Sequence, residues 1–243
     1  MVFAEFEKII STERLKKYVY ACKNDTRQAM TLYRYSLKLS KEMFVVIGVF
    51  EVSLRNRIDS VLKTVYGNDW LRDFVVPGGV FYSDSRVDAT KKIIIKAYNG
   101  LKMSNTYSHS KLLSEMEFGI WKYMFNNVQY RLSGRCLLKA FPNKPKSSVM
   151  NQYDNTYIFN GLDRINIIRN RIAHHEPICF NNSNCIDIQN VMECYSMIMQ
   201  LFNWMDVDSK ALLYGLDHVD CIRKKIFNKF FAFCKKNVVS LHR

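Results

Sequence analysis

The chain has 243 residues, 48% hydrophobic, 14% aromatic and 24% charged, with 36 Lys and Arg against 22 Asp and Glu for a net charge of +14. That composition excludes disorder for most of the chain, and at this length an apolar core forms without disulfide or metal. Nine Gly and four Pro are too few for an all-β sandwich or barrel turning every roughly 8–12 residues, so the expected fold class is all-α, one compact domain over 1–243.

In chain order, Ser11 or Thr12 caps a helix ending near Cys22. Asp25 caps a second, Thr26 to Leu39, whose Met30, Leu32, Tyr33 and Leu37 recur at helical spacing. Ser40 restarts the pattern. Phe44, Ile47, Phe50, Leu54, Ile58, Val61, Leu62 and Val65 then form one stripe from Lys41 to Tyr66, the longest predicted helix, with Gly67 as its stop. Asn68 to Ser85, with Pro77-Gly78-Gly79 inside, reads as a loop, and Asp84 or Ser85 caps a helix to Tyr98 ended by Asn99-Gly100. Another helix runs from about Ser110 to Asn127. Residues 141–148, with two Pro, two Lys and two Ser, are the most linker-like and are placed to divide two lobes. A helix from about Val149 to His174 follows, with Tyr153, Tyr157, Leu162, Ile165, Ile168 and Ile172 inward, and Pro177 ends it. Ile186 to Met205 and a basic C-terminal helix over 219–239 complete the set.

The longest apolar run, Met43 to Phe50, is broken by Glu51 and Arg55, far short of the ~20 apolar residues of a membrane span. The first residues also lack a cleavable secretory signal, so a cytoplasmic location without a membrane partner is expected. Cys22, Cys136, Cys179, Cys185, Cys194, Cys221 and Cys234 show no paired spacing and read as reduced core residues. The positive charge is concentrated: residues 91–146 carry +9 and residues 211–243 carry +5. A polyanion is the natural partner of such blocks, and Lys91, Lys92 and Lys96, with Arg223, Lys224 and Lys225, are the predicted RNA-binding residues.

Chemistry concentrates in Arg169-Asn170-Arg171-Ile172-Ala173-His174-His175-Glu176-Pro177. Asn170 and His174, and likewise Arg171 and His175, are four apart and share helix faces. Arg169 is about 140° from His174 on an ideal helix, a separation that its long side chain, an unwound last turn or a second chain can close. This stretch resembles the motif written R-N-x-x-x-H of the HEPN superfamily (higher eukaryotes and prokaryotes nucleotide-binding), with Arg169, Asn170 and His174 in its three places. The run from Ile168 to Pro177 is more closely similar to the bacterial Abi-like (abortive infection) proteins. So are Ser11-Thr12-Glu13-Arg14-Leu15 with Tyr18, Phe50-Glu51-Val52-Ser53-Leu54-Arg55-Asn56-Arg57-Ile58 with Tyr66-Gly67 and Trp70-Leu71, and Glu115-Met116-Glu117-Phe118-Gly119-Ile120-Trp121. The resemblance spans roughly residues 11–210.

The resemblance implies a HEPN-like helical bundle with additional helices, a homodimer in which two motifs face each other, and an endoribonuclease that needs no metal and no cofactor, of phage-defence or toxin–antitoxin type. Catalysis falls to Arg169, Asn170 and His174, supported by Arg171, His175, Glu176, Glu51 and Arg55. The chemistry is coherent, since histidine exchanges protons near neutral pH and a fixed arginine stabilises phosphorane charge. RNA is the expected partner, as substrate and as a small regulatory RNA. Plainer readings stay open. The histidine pair can cap a helix end, His174, His175, Cys179 and Cys185 can be weighed as a zinc set although they lack paired-ligand spacing, and Glu51 with Arg55 can be a simple helix ion pair. The alternative function is a non-catalytic or RNA-regulated module that holds a small structured RNA.

Overall fold

The computed structural model describes residues 1–231 and is all-α. Among the described residues the only β pairing is an isolated antiparallel bridge between Phe180 and Ile186. Two short helices open the chain, α1 (Phe3–Ile10) and α2 (Thr12–Ala21), the second capped by Ser11, whose hydroxyl accepts from the Arg14 N–H. Asp25 caps α3 as expected, its carboxylate accepting from the Gln28 N–H at 2.9 Å. However, α3 is one helix of 41 residues, Thr26–Tyr66, without the predicted break at Ser40. No Gly or Pro interrupts 26–47, and Leu39, Met43 and Val46 are all buried, so packing outweighs the modest helix penalty of a serine.

The stretch read as a loop contains one helical turn, α4 (Trp70–Asp73). Gly79 is required just beyond it, because a Cβ there would stand 2.1 Å from the Asp73 carbonyl oxygen. Asp84 caps a 3-10 turn, Ser85–Val87, that leads into α5 (Asp88–Met103). This helix runs through Asn99-Gly100. Its end is made by Asn105 at φ +53, with the Asn105 and Thr106 N–H groups donating back to Lys102 and Leu101. Where a single helix is expected over 110–127 the chain forms two, α6 (His109–Ser114) and α7 (Phe118–Tyr123), and a third, α8 (Asn127–Leu132), begins where the expected one ends. Glu117 is extended, and Asn126 starts a new helix by accepting from the Val128 N–H at 3.0 Å.

The helix carrying the motif, α9 (Asn155–Ala173), begins later than Val149 because Asp154 caps it, accepting from the Tyr157 N–H at 2.9 Å. Then come α10 (Gln189–Trp204), α11 (Ser209–Leu212) and α12 (Val219–Ile226), the last continuing as a π-helical turn over Phe227–Phe231. The predicted extension of that helix to 239 lies outside the described residues.

Contacts divide the chain into two units. The first comprises Met1–Ile47, Ile168–Ser196 and the chain from Leu213, and the second Gly48–Ile167 with Met197–Leu212. Segment 141–148 therefore lies within the second unit. The first unit packs around Leu15, Leu32, Leu39, Ile168 and Val191. A run of edge-on aromatic contacts, Phe6 to Tyr33, Tyr33 to Tyr18 and Tyr18 to Phe180, has ring centroids 5.4, 5.3 and 5.0 Å apart. The second unit is centred on Phe50 against Phe202 and on Phe74, which meets Tyr66, Trp70 and Phe81. Cys22, Cys136, Cys179 and Cys194 are buried, whereas Cys185 and Cys221 are exposed, contrary to expectation. Cys185 follows the polar Asn181-Asn182-Ser183-Asn184 turn, Cys221 lies on the outer face of α12, and Cys234 is outside the described residues. No helix among the described residues is long and apolar enough to cross a membrane.

Candidate functional site

Within the first unit, α9 ends in a tightly specified turn. The His175 N–H donates to the Ile172 carbonyl at 3.0 Å and the Glu176 N–H to Arg171 at 2.8 Å, the paired bonds of a Schellman motif. His175 holds the position usually taken by glycine, at φ +56. A β-carbon there costs on the order of 1 kcal/mol, so the fold around it must over-determine the conformation. Two arginines supply that constraint. Arg14, from α2, donates through Nη1 to the His175 carbonyl at 2.9 Å. Arg171 donates through Nη2 to the Pro177 carbonyl and has its Nε 3.6 Å from a Glu176 carboxylate oxygen.

Beside this turn is a cavity of about 490 Å³, lined from α2 by Arg14 and Tyr18, from α3 by Tyr33, Ser36, Lys41 and Phe44 among others, and from the end of α9 by Arg169, Ile172, His175 and Glu176. Its inner wall is fixed by the Tyr18 hydroxyl, 3.2 Å from Ser36 Oγ. Burial raises the Tyr18 phenol above its ordinary range, so it stays protonated. Arg14, Lys41, Arg169 and His175 bring potential positive charge, against the single carboxylate of Glu176.

The motif residues do not all face this space. Arg169 does, half-buried, with its Nη1 3.4 Å from Asn170 Oδ1. Asn170 is exposed beside it. His174 is exposed and absent from the cavity lining, whereas its neighbour His175 contributes to that lining. Arg171 is committed to holding the turn, as the bonds above show. Glu51 and Arg55 belong to the second unit, one helical turn apart on α3, and Arg55 Nε is buried without a hydrogen-bond partner among the described residues. Arg14, Tyr18, Lys41 and Phe44 were missed as site residues. Arg14 and Tyr18 stand in the Ser11-to-Tyr18 stretch, which was the available signal, while nothing in the local pattern marks Lys41 or Phe44.

The zinc reading has no geometric support. Cys179 is fully buried and its thiol is pushed up to about 11 by that burial, while His174, His175 and Cys185 are exposed. Among the described residues no three His, Cys, Asp or Glu side chains converge on a metal-sized position.

The basic residues divide by environment. In the second unit, Lys92 and Lys96 are exposed on α5, but Lys91 is taken up by Asp88 at 2.7 Å and the Tyr82 carbonyl at 2.9 Å. In the first unit, Lys224 and Lys225 are exposed on α12, and Arg223 pairs with Asp220 at 2.8 Å. Of the aromatics interleaved with these bases, Trp121, Phe125 and Phe230 are core residues.

The fold and the site thus define an all-helical protein with a basic, aromatic-lined cavity at the end of an R-N-x-x-x-H helix. The sequence profile of the Abi-like protein family matches residues 3–180, and the chain belongs to that family. No curated protein and no solved structure gives a significant match.

Proposed function

We propose that this Abi-like protein is an endoribonuclease of the abortive-infection type, cutting RNA without a metal ion through a HEPN-type site that two copies complete across a two-fold axis. The observation that carries this reading is the end of α9. Arg169 opens on a basic cavity with Asn170 against it, and His174 stands exposed one turn further on, where a second copy or a strand of RNA can reach it. His174 exchanges the proton of the 2′-hydroxyl or of the departing 5′-oxygen, Arg169 stabilises charge on the phosphorane, and Asn170 orients them. A two-fold axis doubles each group without further sequence.

End-group analysis tests it. Single-stranded RNA incubated with the protein in EDTA should yield 2′,3′-cyclic phosphate and 5′-hydroxyl ends. His174→Ala should lower the rate by ~10²–10⁴-fold and Arg169→Ala by about 10²–10³-fold, with a smaller loss for His175→Ala. Fragments with 5′-phosphate ends, or activity lost in EDTA and restored by zinc or magnesium, would overturn the assignment. RNA that copurifies uncut, with no activity of the wild-type protein on single-stranded RNA, would favour the binding-module function.

A further inference from the structure

We infer that a second cavity, lying wholly within the second unit, binds a small amine carried on an apolar body with a hydroxyl at its far end. The site shares no residue with the motif on α9 and does not rest on the ribonuclease reading.

The stretch from Glu115 to Trp121 resembles the Abi-like proteins, yet the chemistry at the end of α9 leaves it without a role. In the structure it forms one side of a cavity of about 410 Å³, closed by the start of α5 and by α8. That volume lies within the roughly 300–1,000 Å³ of sites that enclose small organic ligands. Glu115 and Glu117 both line it and are exposed at its rim. They are the only acids between residues 91 and 146, a stretch with eleven Lys and Arg. Even so, neither carboxylate has an ion pair or a hydrogen bond among the described residues. Arg86, the other charged residue of the lining, is taken up by Asp84 through bonds of 2.9 and 2.6 Å. The charge left uncompensated here is negative, in a protein of net charge +14.

Exposed carboxylates alone do not make a site, and the buried side of the cavity supplies the independent observation. Gln129, 5% exposed, lines it and donates through Nε2 to Thr90 Oγ1 at 2.7 Å. Its Oε1 is buried without a hydrogen-bond partner among the described residues. Buried side-chain amides are nearly always satisfied, so this wall is short of one polar partner. Between rim and amide the lining is apolar, with Val87 and Ile120 buried and Ile93 and Tyr123 48% and 44% exposed. A bare cation would leave those walls uncovered, and a neutral apolar molecule would leave the carboxylates unpaired. An amine on a ring-sized body uses both. Its ammonium donates to Glu115 and Glu117, and a hydroxyl at the far end, donor and acceptor at once, completes the Gln129 amide.

The test is calorimetric titration of the full chain at fixed salt with tyramine as the probe. Tyramine should bind saturably at one per chain. Tyrosol, which replaces the amine by a neutral hydroxyl, and methylammonium, which keeps the charge without the body, should each bind at least about tenfold more weakly. 2-Phenylethylamine, which lacks only the phenolic hydroxyl, should bind roughly three- to tenfold more weakly. Glu115→Gln combined with Glu117→Gln should weaken tyramine by about tenfold or more, whereas Glu193→Gln, on the exposed side of α10, should leave it within about twofold. Unfolding temperatures of the double variant should stay near wild type, because both side chains are exposed and unpaired. In Gln129→Leu, tyramine and 2-phenylethylamine should bind alike, a comparison within one variant that its stability does not disturb. The inference is overturned by no saturable tyramine binding below about 10 mM, or by tyrosol, methylammonium or 2-phenylethylamine binding wild type as tightly as tyramine. Unchanged affinity in the double variant overturns it too. RNA cleavage does not enter the measurement, so its presence or absence leaves the result standing.

Discussion

Asp59, in the second unit, accepts from Trp70 Nε1 at 2.8 Å, lies 2.7 Å from His109 Nε2 and forms an ion pair with Lys63 at 2.7 Å. Burial alone would push its carboxyl up, but the bonds from Lys63, His109 and Trp70 together hold it below the ordinary carboxylate value of 3.8. A folded value below the unfolded one contributes stability above the unfolded pKa, and that contribution is lost as pH falls through the folded value. Asp59→Asn should therefore destabilise the protein by about 1–3 kcal/mol at pH 7. The gap from wild type should close as the pH drops below 3.8. Unfolding temperatures of both proteins from pH 7 to pH 3 check this, and a gap that widens in acid would contradict it. None of this was legible in the sequence, because Asp59, Trp70 and His109 meet only after folding. Arg171, by contrast, was nominated as a supporting residue, and the structure gives it a concrete task in pinning the turn to Pro177.

The elements were legible where their ends carry local chemistry. Asp25 and Ser11 cap the helices expected of them, and Pro177 marks the end of α9 to within a few residues. The reading failed where tertiary packing decides, as at Ser40, and where one predicted helix, from about Ser110 to Asn127, is split into shorter ones. A left-handed histidine at the end of α9 has no sequence signature either, since glycine is the usual occupant. That position yields a sharp prediction. His175→Gly should stabilise the protein by about 1 kcal/mol by relieving the β-carbon, net of the extra freedom of glycine in the unfolded chain. The urea midpoint should rise at unchanged m-value. A fall in midpoint would mean that the imidazole itself holds the turn together.

For the whole molecule, the net charge of +14 has to be divided between cations that are free and cations already paired. Lys92, Lys96, Lys224 and Lys225 are exposed, and Lys91 and Arg223 are in ion pairs. With some four to six phosphates neutralised, log affinity for RNA against log salt should slope at roughly −3 to −5. Reversing Lys92 and Lys96 together should flatten that slope by about 1.5–2, and reversing Lys91 alone should change it less. Identical slopes for the wild type and the Lys92/Lys96 double variant would remove the second unit from the RNA-binding surface.

The two walls of the cavity come from distant parts of the chain: Arg14 to Phe44 on one side, Arg169 to Pro177 on the other. During synthesis the first wall leaves the ribosome well before the second. At roughly 5–20 residues per second the intervening stretch of about 125 residues takes on the order of 6–25 s. A nascent chain interrupted anywhere in that interval carries the first wall without the second, and no assembled cavity. On the ribonuclease reading proposed above, unfinished copies would lack Arg169 and His174 as well as the cavity.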